Sequence, residues 1–261
     1  MNEQIKIIFV DIDWTILDHN THDFDYESLE ALNQAQKNGY IVFICTARPY
    51  ESVSLTGLLN YIHPDGIICT NGAVAFFQDK LLFSDNFPKE VVRKVIEVSN
   101  KHNFTLELSA EKERFFTRPK NKYVDAFFSI FAEVEPPIRE YNDENISAIL
   151  LFSPPEYDEE LLKEYPEGIK LYRFMEAACD VHLKPSSKEE GIRRVLEYFH
   201  FSKEQAMGIG DDIGDIPMFN IVGLGVAMGN GKEEAKAASK FVTKPINEHG
   251  LKYALEYFNI V

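Results

Sequence analysis

The chain has 261 residues, and at about 150 residues per domain this length predicts two domains or one large one. With 45% hydrophobic and 26% charged residues, the composition excludes a predominantly disordered protein. The 42 acidic residues exceed the 27 basic ones and give a net charge of −15, which disfavours nucleic-acid and anionic-membrane partners.

The cysteines and the N-terminal segment indicate the cellular compartment of the protein. Cys45, Cys69 and Cys179 lie in apolar surroundings, a pattern typical of buried thiols rather than of disulfides or a zinc site. The first residues lack the features of a signal peptide, and no run reaches the length of a membrane span. We therefore expect a cytoplasmic protein in a reducing environment.

Two outer segments alternate strands and helices in the way that favours a doubly wound parallel sheet. In the N-terminal segment we predict a strand at 4–10, a helix at 26–38, a strand at 40–45, a helix from Pro49 to about residue 60 and a strand at 66–69. In the C-terminal segment we predict helices at 187–200, 214–220, 231–239 and 248–258, with strands at 205–209, 222–227 and 241–242.

The segment between these two has a different order of predicted helices and strands. After a hairpin at 73–83, we predict helices at 88–101, 121–131 and 156–164, with strands at 104–108, 146–152, 168–174 and 179–183. The fold class is therefore α/β, with a parallel-sheet core of residues 1–82 and 183–261. An α+β domain of residues 83–182 is inserted into that core.

Two carboxylates directly follow the first strand, as Asp11 and Asp13. Ligands of open α/β sheets bind beyond the carboxyl ends of the strands. Two acids placed there would repel each other unless a cation or a transferred proton compensates. On this segment alone, a nucleophile with an acid/base partner and a polar turn with an aspartate cap are equally good interpretations.

Three further features lie at comparable positions. Thr46 follows the second strand, and Lys188 stands at the start of a helix. Asp211 and Asp215 follow another strand, where carboxylates suit Mg²⁺. Each feature alone is explained by a cap or a solvated side chain, but together they supply anionic and cationic groups to one crevice. A magnesium ion with a phosphate would satisfy both sets.

These residues also carry a resemblance to a known family. DIDWTIL, Thr46, Lys188 and GDDIGD resemble the four motifs of the haloacid dehalogenase superfamily of aspartyl-phosphate phosphatases. The insertion resembles the large α/β cap of the Cof-type subgroup on a Rossmann-like core, and Asn71-Gly72 is similar to the loop that precedes this cap. The resemblance covers both core segments and is weak within the insertion.

The resemblance implies a magnesium-dependent phosphomonoesterase that acts on a small phosphorylated metabolite. Asp11 would be the nucleophile and Asp13 the general acid and base. Thr46 and Lys188 would bind the phosphate, and we assign Arg48, Asn71 and Gly72 as candidate substrate-binding residues. Magnesium would be held by Asp11, Asp13 through its backbone carbonyl, Asp211 and, through water, Asp215.

Two residues depart from the family pattern. Trp14 replaces the usual glycine, so we expect a loop conformation that accommodates a side chain. Gly214 replaces the usual asparagine before the last acid, which removes an amide from the phosphate or metal surroundings. His19 and His22 lie in an acidic loop that could hold a metal, but we interpret this loop as solvated and followed by a helix cap.

Two other functions are compatible with these residues. A phosphosugar mutase would use the same fold but return the phosphoryl group to another hydroxyl, so it would release no free phosphate from a hexose phosphate. A non-catalytic regulator would bind a phosphometabolite tightly without turnover, an alternative that Trp14 and Gly214 favour.

Overall fold

The computed structural model describes residues 5–131, 134–183 and 187–261. Residues 1–4, which include the start of the first predicted strand, lie outside the described residues, as do residues 132–133 and 184–186. Within the described part, no helix is both long and apolar enough to span a membrane.

The described strands are mostly short. They are β1 (Ile7–Val10), β2 (Leu17–Asp18), β3 (Asp23–Phe24), β4 (Ile41–Cys45), β5 (Gly66–Cys69), β6 (Val74–Phe77), β7 (Lys80–Ser84), β8 (Thr105–Ser109), β9 (Arg114–Phe116), β10 (Ala148–Phe152), β11 (Lys170–Met175), β12 (Ala178–His182), β13 (Ala206–Gly210), β14 (Leu224–Ala227) and β15 (Phe241–Val242).

The described helices alternate with these strands in the two outer segments. They are α1 (Tyr26–Lys37), α2 (Tyr50–Leu55), α3 (Lys89–Lys101), α4 (Lys122–Phe131), α5 (Asp158–Glu164), α6 (Lys188–Phe199), α7 (Ile216–Ile221), α8 (Glu233–Ala238) and α9 (Gly250–Tyr257).

An eight-stranded sheet forms the first of two compact units, in the order β15-β14-β13-β1-β4-β5-β6-β7. The pairs from β15 to β5 are parallel, whereas β6 returns antiparallel to β5. All four residues of β1 are buried, as expected for a central strand covered on both faces. The predicted doubly wound α/β core is confirmed.

Local signals explain where two of the helices begin or end. Asp25 caps α1 by accepting a hydrogen bond from the backbone N–H of Ser28, as the sequence predicted. The helix predicted from Pro49 to about residue 60 is shorter, because Gly57 adopts φ 81° and separates α2 from a 3-10 turn at Leu58–Asn60.

The second unit contains Pro49–Thr56 and Ser84–Ser186. Its five-stranded sheet has the order β11-β12-β10-β8-β9, with antiparallel pairs from β11 to β9. Helices α3 and α5 contribute to one apolar cluster, and α4 contributes aromatic residues to another. Strand β9 is absent from our sequence prediction, and residues 49–56 belong here rather than with the segment that we assigned to the core.

Candidate active site

The predicted site residues of the first unit follow neighbouring parallel strands. Asp11 comes directly after β1, Thr46 after β4 and Asp211 after β13. Because β1 pairs with both β4 and β13 in parallel, these three positions lie at the same edge of the sheet. The topology therefore brings residues from three distant segments of the chain to one place.

Lys188 connects two of the carboxylates. Its Nζ donates to Asp11 Oδ1 and to Asp215 Oδ1, at 2.6 Å in each case. All three residues are buried, so the ion pairs are screened little by solvent. Lys188 is the first residue of α6, whose start Ser187 caps by accepting from the backbone N–H of Glu190. The cap thus fixes where this lysine enters the site.

The second carboxylate oxygen of Asp215 is also hydrogen-bonded. Oδ2 accepts hydrogen bonds from the backbone N–H groups of Asp211 (2.8 Å) and Asp212 (3.0 Å). Gly210 makes room for this arrangement, because a Cβ there would lie 2.3 Å from Asp215 Cγ. Glycine is therefore required at the last position of β13, because only glycine lets the Asp215 carboxyl group pack against the backbone there.

The electrostatics of this cluster favour a bound cation. Burial, with the charges of Asp215 and Asp13, outweighs Lys188 and raises the pKa of Asp11 to about 7. Burial, with the charges of Asp11, Asp215 and Asp212, raises the pKa of Asp211 to about 8. The pKa of Lys188 lies well above its usual value, because its two carboxylate partners outweigh burial.

The same residues fit a divalent metal ion. One oxygen from each of Asp11, Asp211 and Asp215 lies within 4.8 Å of the others, and all three residues are buried. Three carboxylates next to a single lysine leave an excess of negative charge, and oxygen ligands are those that hard divalent ions prefer. Thr15, to which our sequence analysis gave no role, donates from Oγ1 to Asp211 Oδ1 (3.2 Å).

Asp13 has different neighbours. Arg48 donates from Nε to Asp13 Oδ2 (2.9 Å) and from a terminal nitrogen to Oδ1 (2.7 Å). The imidazole Nε2 of His19 lies 2.6 Å from the same Oδ1. Burial alone would raise the pKa of Asp13, but the hydrogen bonds from His19 and Arg48 and the charge of Arg48 outweigh it and lower that pKa far below its usual range.

The loop after β1 brings His19 to this position, contrary to our interpretation of a solvated loop. The backbone N–H groups of Ile16 and Leu17 donate to the carbonyl of Ile12, and Trp14 N–H donates to the carbonyl of Leu17. This tight turn leads into the β2–β3 hairpin, which returns the chain toward Asp13. The spacing of six residues between Asp13 and His19 does not by itself predict this contact.

Trp14 also differs from expectation. Its φ of 58° lies in the left-handed region, which favours glycine. The loop therefore keeps a backbone conformation suited to glycine although a tryptophan stands there. Asn230 donates from its side-chain amide to the Trp14 carbonyl (2.9 Å). Nothing in the sequence connected these two residues, which are far apart along the chain.

The other predicted residues have clear positions. Thr46 is buried, and its Oγ1 accepts from the backbone N–H of Arg48 (3.1 Å). Asn71 donates from its backbone N–H to the Thr46 carbonyl (3.2 Å). Gly72 has φ 92°, and a Cβ there would lie 2.0 Å from the Ser187 carbonyl oxygen, so this position requires glycine for packing against the start of α6.

Comparison with known proteins supports an enzyme site. A sequence profile of the haloacid dehalogenase-like hydrolases matches residues 8–255 of the chain. The chain is similar to the putative phosphatase YkrA of Bacillus subtilis (strain 168), with 28% identity over 258 residues that cover 98% of each protein.

Two solved structures are also similar to this chain over nearly its whole length. A hypothetical protein from Geobacillus kaustophilus HTA426 superposes with a TM-score of 0.90 at 28% identity, covering 98% of this chain and 100% of that one. A sugar phosphatase of haloacid dehalogenase subclass IIB superposes with a TM-score of 0.79 at 29% identity, again covering 98% of this chain and 100% of that one.

Proposed function

Because this chain belongs to the haloacid dehalogenase-like hydrolases and is a phosphatase, we propose that it is a magnesium-dependent phosphomonoesterase with an aspartyl-phosphate intermediate. Its substrate would be a small phosphorylated metabolite. The observation that carries the proposal is the buried cluster of Asp11, Asp211, Asp215 and Lys188 next to Asp13, a carboxyl group in a contrasting environment.

The first chemical step would form a bond between Asp11 and phosphorus. A carboxylate oxygen of Asp11 attacks the phosphoryl group as the bond from phosphorus to the leaving oxygen breaks. Asp13 delivers a proton to that oxygen, so the leaving group departs as an alcohol. Lys188 donates to the phosphoryl oxygens, where negative charge develops in the transition state, and Thr46 orients them.

The second step would release phosphate and restore the enzyme. A water oxygen attacks the phosphorus of the aspartyl-phosphate, and Asp13 takes the proton that this water loses. The bond between phosphorus and the Asp11 oxygen breaks, which regenerates the carboxylate. Arg48 and His19 stabilise the carboxylate form of Asp13, which is the form that takes up this proton.

Asp11, Asp211 and Asp215 would hold the magnesium ion together with the backbone carbonyl of Asp13. Magnesium bound there would supply positive charge that neutralises phosphoryl oxygens. We also propose that residues 83–182 form a separate cap domain, which their own sheet and their own apolar clusters support.

Hydrolysis of p-nitrophenyl phosphate with and without magnesium tests the proposal. We expect chelation to abolish activity and Asp11→Asn to lower kcat at least about 1000-fold, because the nucleophile is lost. Asp79→Asn, at an exposed acid in the turn between β6 and β7, serves as the control and should retain most activity. Activity that survives Asp11→Asn or ignores chelator would refute the mechanism. Tight binding of a phosphate ester without turnover would instead favour a regulator.

A further inference from the structure

The proposed mechanism uses His19 only to stabilise the carboxylate form of Asp13. Its Nε2 lies 2.6 Å from Asp13 Oδ1, and only 18% of its side chain is exposed. The neighbouring His22, three residues further along the same loop, is exposed. The loop therefore directs one of its two histidines onto the carboxyl group that would transfer protons.

The unusual tryptophan packs against this histidine. The ring centroids of Trp14 and His19 are 5.2 Å apart, with an angle of 48° between the ring planes. The backbone of Trp14 is anchored independently, by its own N–H to the Leu17 carbonyl and by Asn230 to its carbonyl. An aromatic ring with a fixed backbone limits the orientations that the imidazole can adopt.

We propose that His19 is a positioning residue for proton transfer by Asp13 and that Trp14 holds the imidazole in place. This inference rests on the proposed function, since it assigns His19 to the carboxyl group that serves as acid and base there. It also gives a purpose to the side chain at position 14, where the resemblance leads one to expect glycine.

The chemistry of the two Asp13 partners explains why a histidine is useful here. The guanidinium group of Arg48 can only donate hydrogen bonds, so it supports Asp13 as a carboxylate. A neutral imidazole carries one N–H and one bare nitrogen, so it can donate to a carboxylate or accept from a carboxylic acid. By donating from Nε2 to Oδ1, a neutral His19 can therefore keep Asp13 oriented while Oδ2 carries the proton that the leaving group needs.

Substrates that differ in their need for a proton provide the test. p-Nitrophenolate is a good leaving group that departs with little help from a general acid. Phenolate, the leaving group of phenyl phosphate, is more basic, so its departure depends more strongly on protonation by Asp13. The readout is the ratio of kcat/KM for phenyl phosphate to kcat/KM for p-nitrophenyl phosphate. We expect His19→Ala to lower this ratio about tenfold, a fraction of the full effect of a general acid.

Three further variants sharpen the result. His19→Gln keeps a side-chain group that can donate or accept, so it should restore the ratio to within about threefold of the wild-type value. Trp14→Ala should lower the ratio in the same direction by a smaller factor, and Trp14→Phe, which keeps a ring, should recover it. His22→Asn, the matched control in the same loop, should leave the ratio unchanged.

The outcomes separate this inference from the proposed function. Wild-type enzyme without magnesium-dependent turnover would refute the proposed function. With an active wild type, a His19→Ala ratio equal to that of the wild type would overturn the positioning role, even if both rates fall together. A His19→Gln ratio as low as that of His19→Ala would also overturn it.

Discussion

Asp11 and Asp13 are two residues apart, yet their surroundings act on the two carboxyl groups in opposite directions. Around Asp11, burial and neighbouring acids outweigh Lys188 and raise the pKa to about 7. Around Asp13, hydrogen bonds from His19 and Arg48 outweigh burial and lower the pKa. Taken alone, these directions are the reverse of the proposed roles, since a nucleophile must be ionised and an acid protonated. A cation held by Asp11, Asp211 and Asp215 would lower the pKa of Asp11 and favour its carboxylate form.

The contrast divides the site into two parts. We call Asp11, Asp211, Asp215 and Lys188 the metal side, where negative charge is in excess. We call Asp13, Arg48 and His19 the proton-transfer side, where cationic and hydrogen-bonding groups surround one acid. The turn after β1 places the two sides next to each other, so each can be perturbed through its own neighbours.

Lys188→Met is the largest expected disturbance of the metal side. It leaves two buried carboxylates without their cation, so in chelator the free energy of unfolding should fall by about 3–5 kcal/mol. Turnover should fall about 100- to 1000-fold, because a donor to the phosphoryl group is lost. Urea unfolding measures the loss of stability, and a phosphatase assay measures the loss of turnover.

Lys203→Met, at an exposed position, is the control and should change the free energy of unfolding by under about 0.5 kcal/mol. Unchanged stability of Lys188→Met would contradict the charge balance described for this side.

Gly210→Ala tests whether the metal side depends on close packing at the end of β13. The new methyl group would lie 2.4 Å from Asp215 Oδ2, so we expect a loss of about 3 kcal/mol in unfolding free energy and weaker magnesium binding. Gly214→Ala is the matched control, because no atom lies within 4 Å of the equivalent Cβ position. Thermal unfolding in a magnesium titration compares the two variants, and equal behaviour would contradict the packing argument.

Arg48→Lys disturbs the proton-transfer side. It replaces the two-point contact with Asp13 by a point charge, so the unfolding free energy at pH 7 should fall by about 1.5 kcal/mol. A carboxyl group with a lowered folded-state pKa stabilises the protein above its unfolded pKa of about 4, and that contribution is lost in acid. The difference between wild type and variant should therefore be the same from pH 7 to pH 4 and shrink only below about pH 3, as the pH falls toward the lowered folded-state pKa of Asp13. Arg193→Lys, at a half-buried position on α6, serves as control, and a difference that stays constant even below pH 3 would argue against the role of Asp13.

The pH dependence of magnesium stabilisation gives the smallest expected effect. Asp11 and Asp211 have raised pKa values, so their contribution to stability without metal is present in acid and is lost as pH rises through about 7 to 8. Magnesium competes with protons for these oxygens, so the increase in Tm on adding it should be several degrees larger at pH 8.5 than at pH 6. Calorimetry at both pH values measures this. An increase that is equal at the two values would show that these carboxyl groups do not hold the ion.

Much of the core could be predicted because each element has a strong local cause. Apolar β-branched runs identify β1, β4 and β5, and the fully buried β1 shows why such runs form central strands. Helices α1 and α6, whose ends were predicted to within one residue, begin at the side-chain caps Asp25 and Ser187. Strand β9 was missed because three residues, Arg114–Phe116, are too short for a periodic pattern.

The sequence by itself determined which chemical groups are available and at which strand ends they stand. Asp11, Thr46 and Asp211 could be assigned to one edge because parallel strands present their carboxyl ends together. Only the tertiary structure decided how each carboxyl group behaves. The contacts of Asp13 with His19 and Arg48, and of Asp211 with Thr15, depend on turns and side-chain directions that residue spacing does not encode. Electrostatic effects depend on distance and burial, and both are properties of the folded chain.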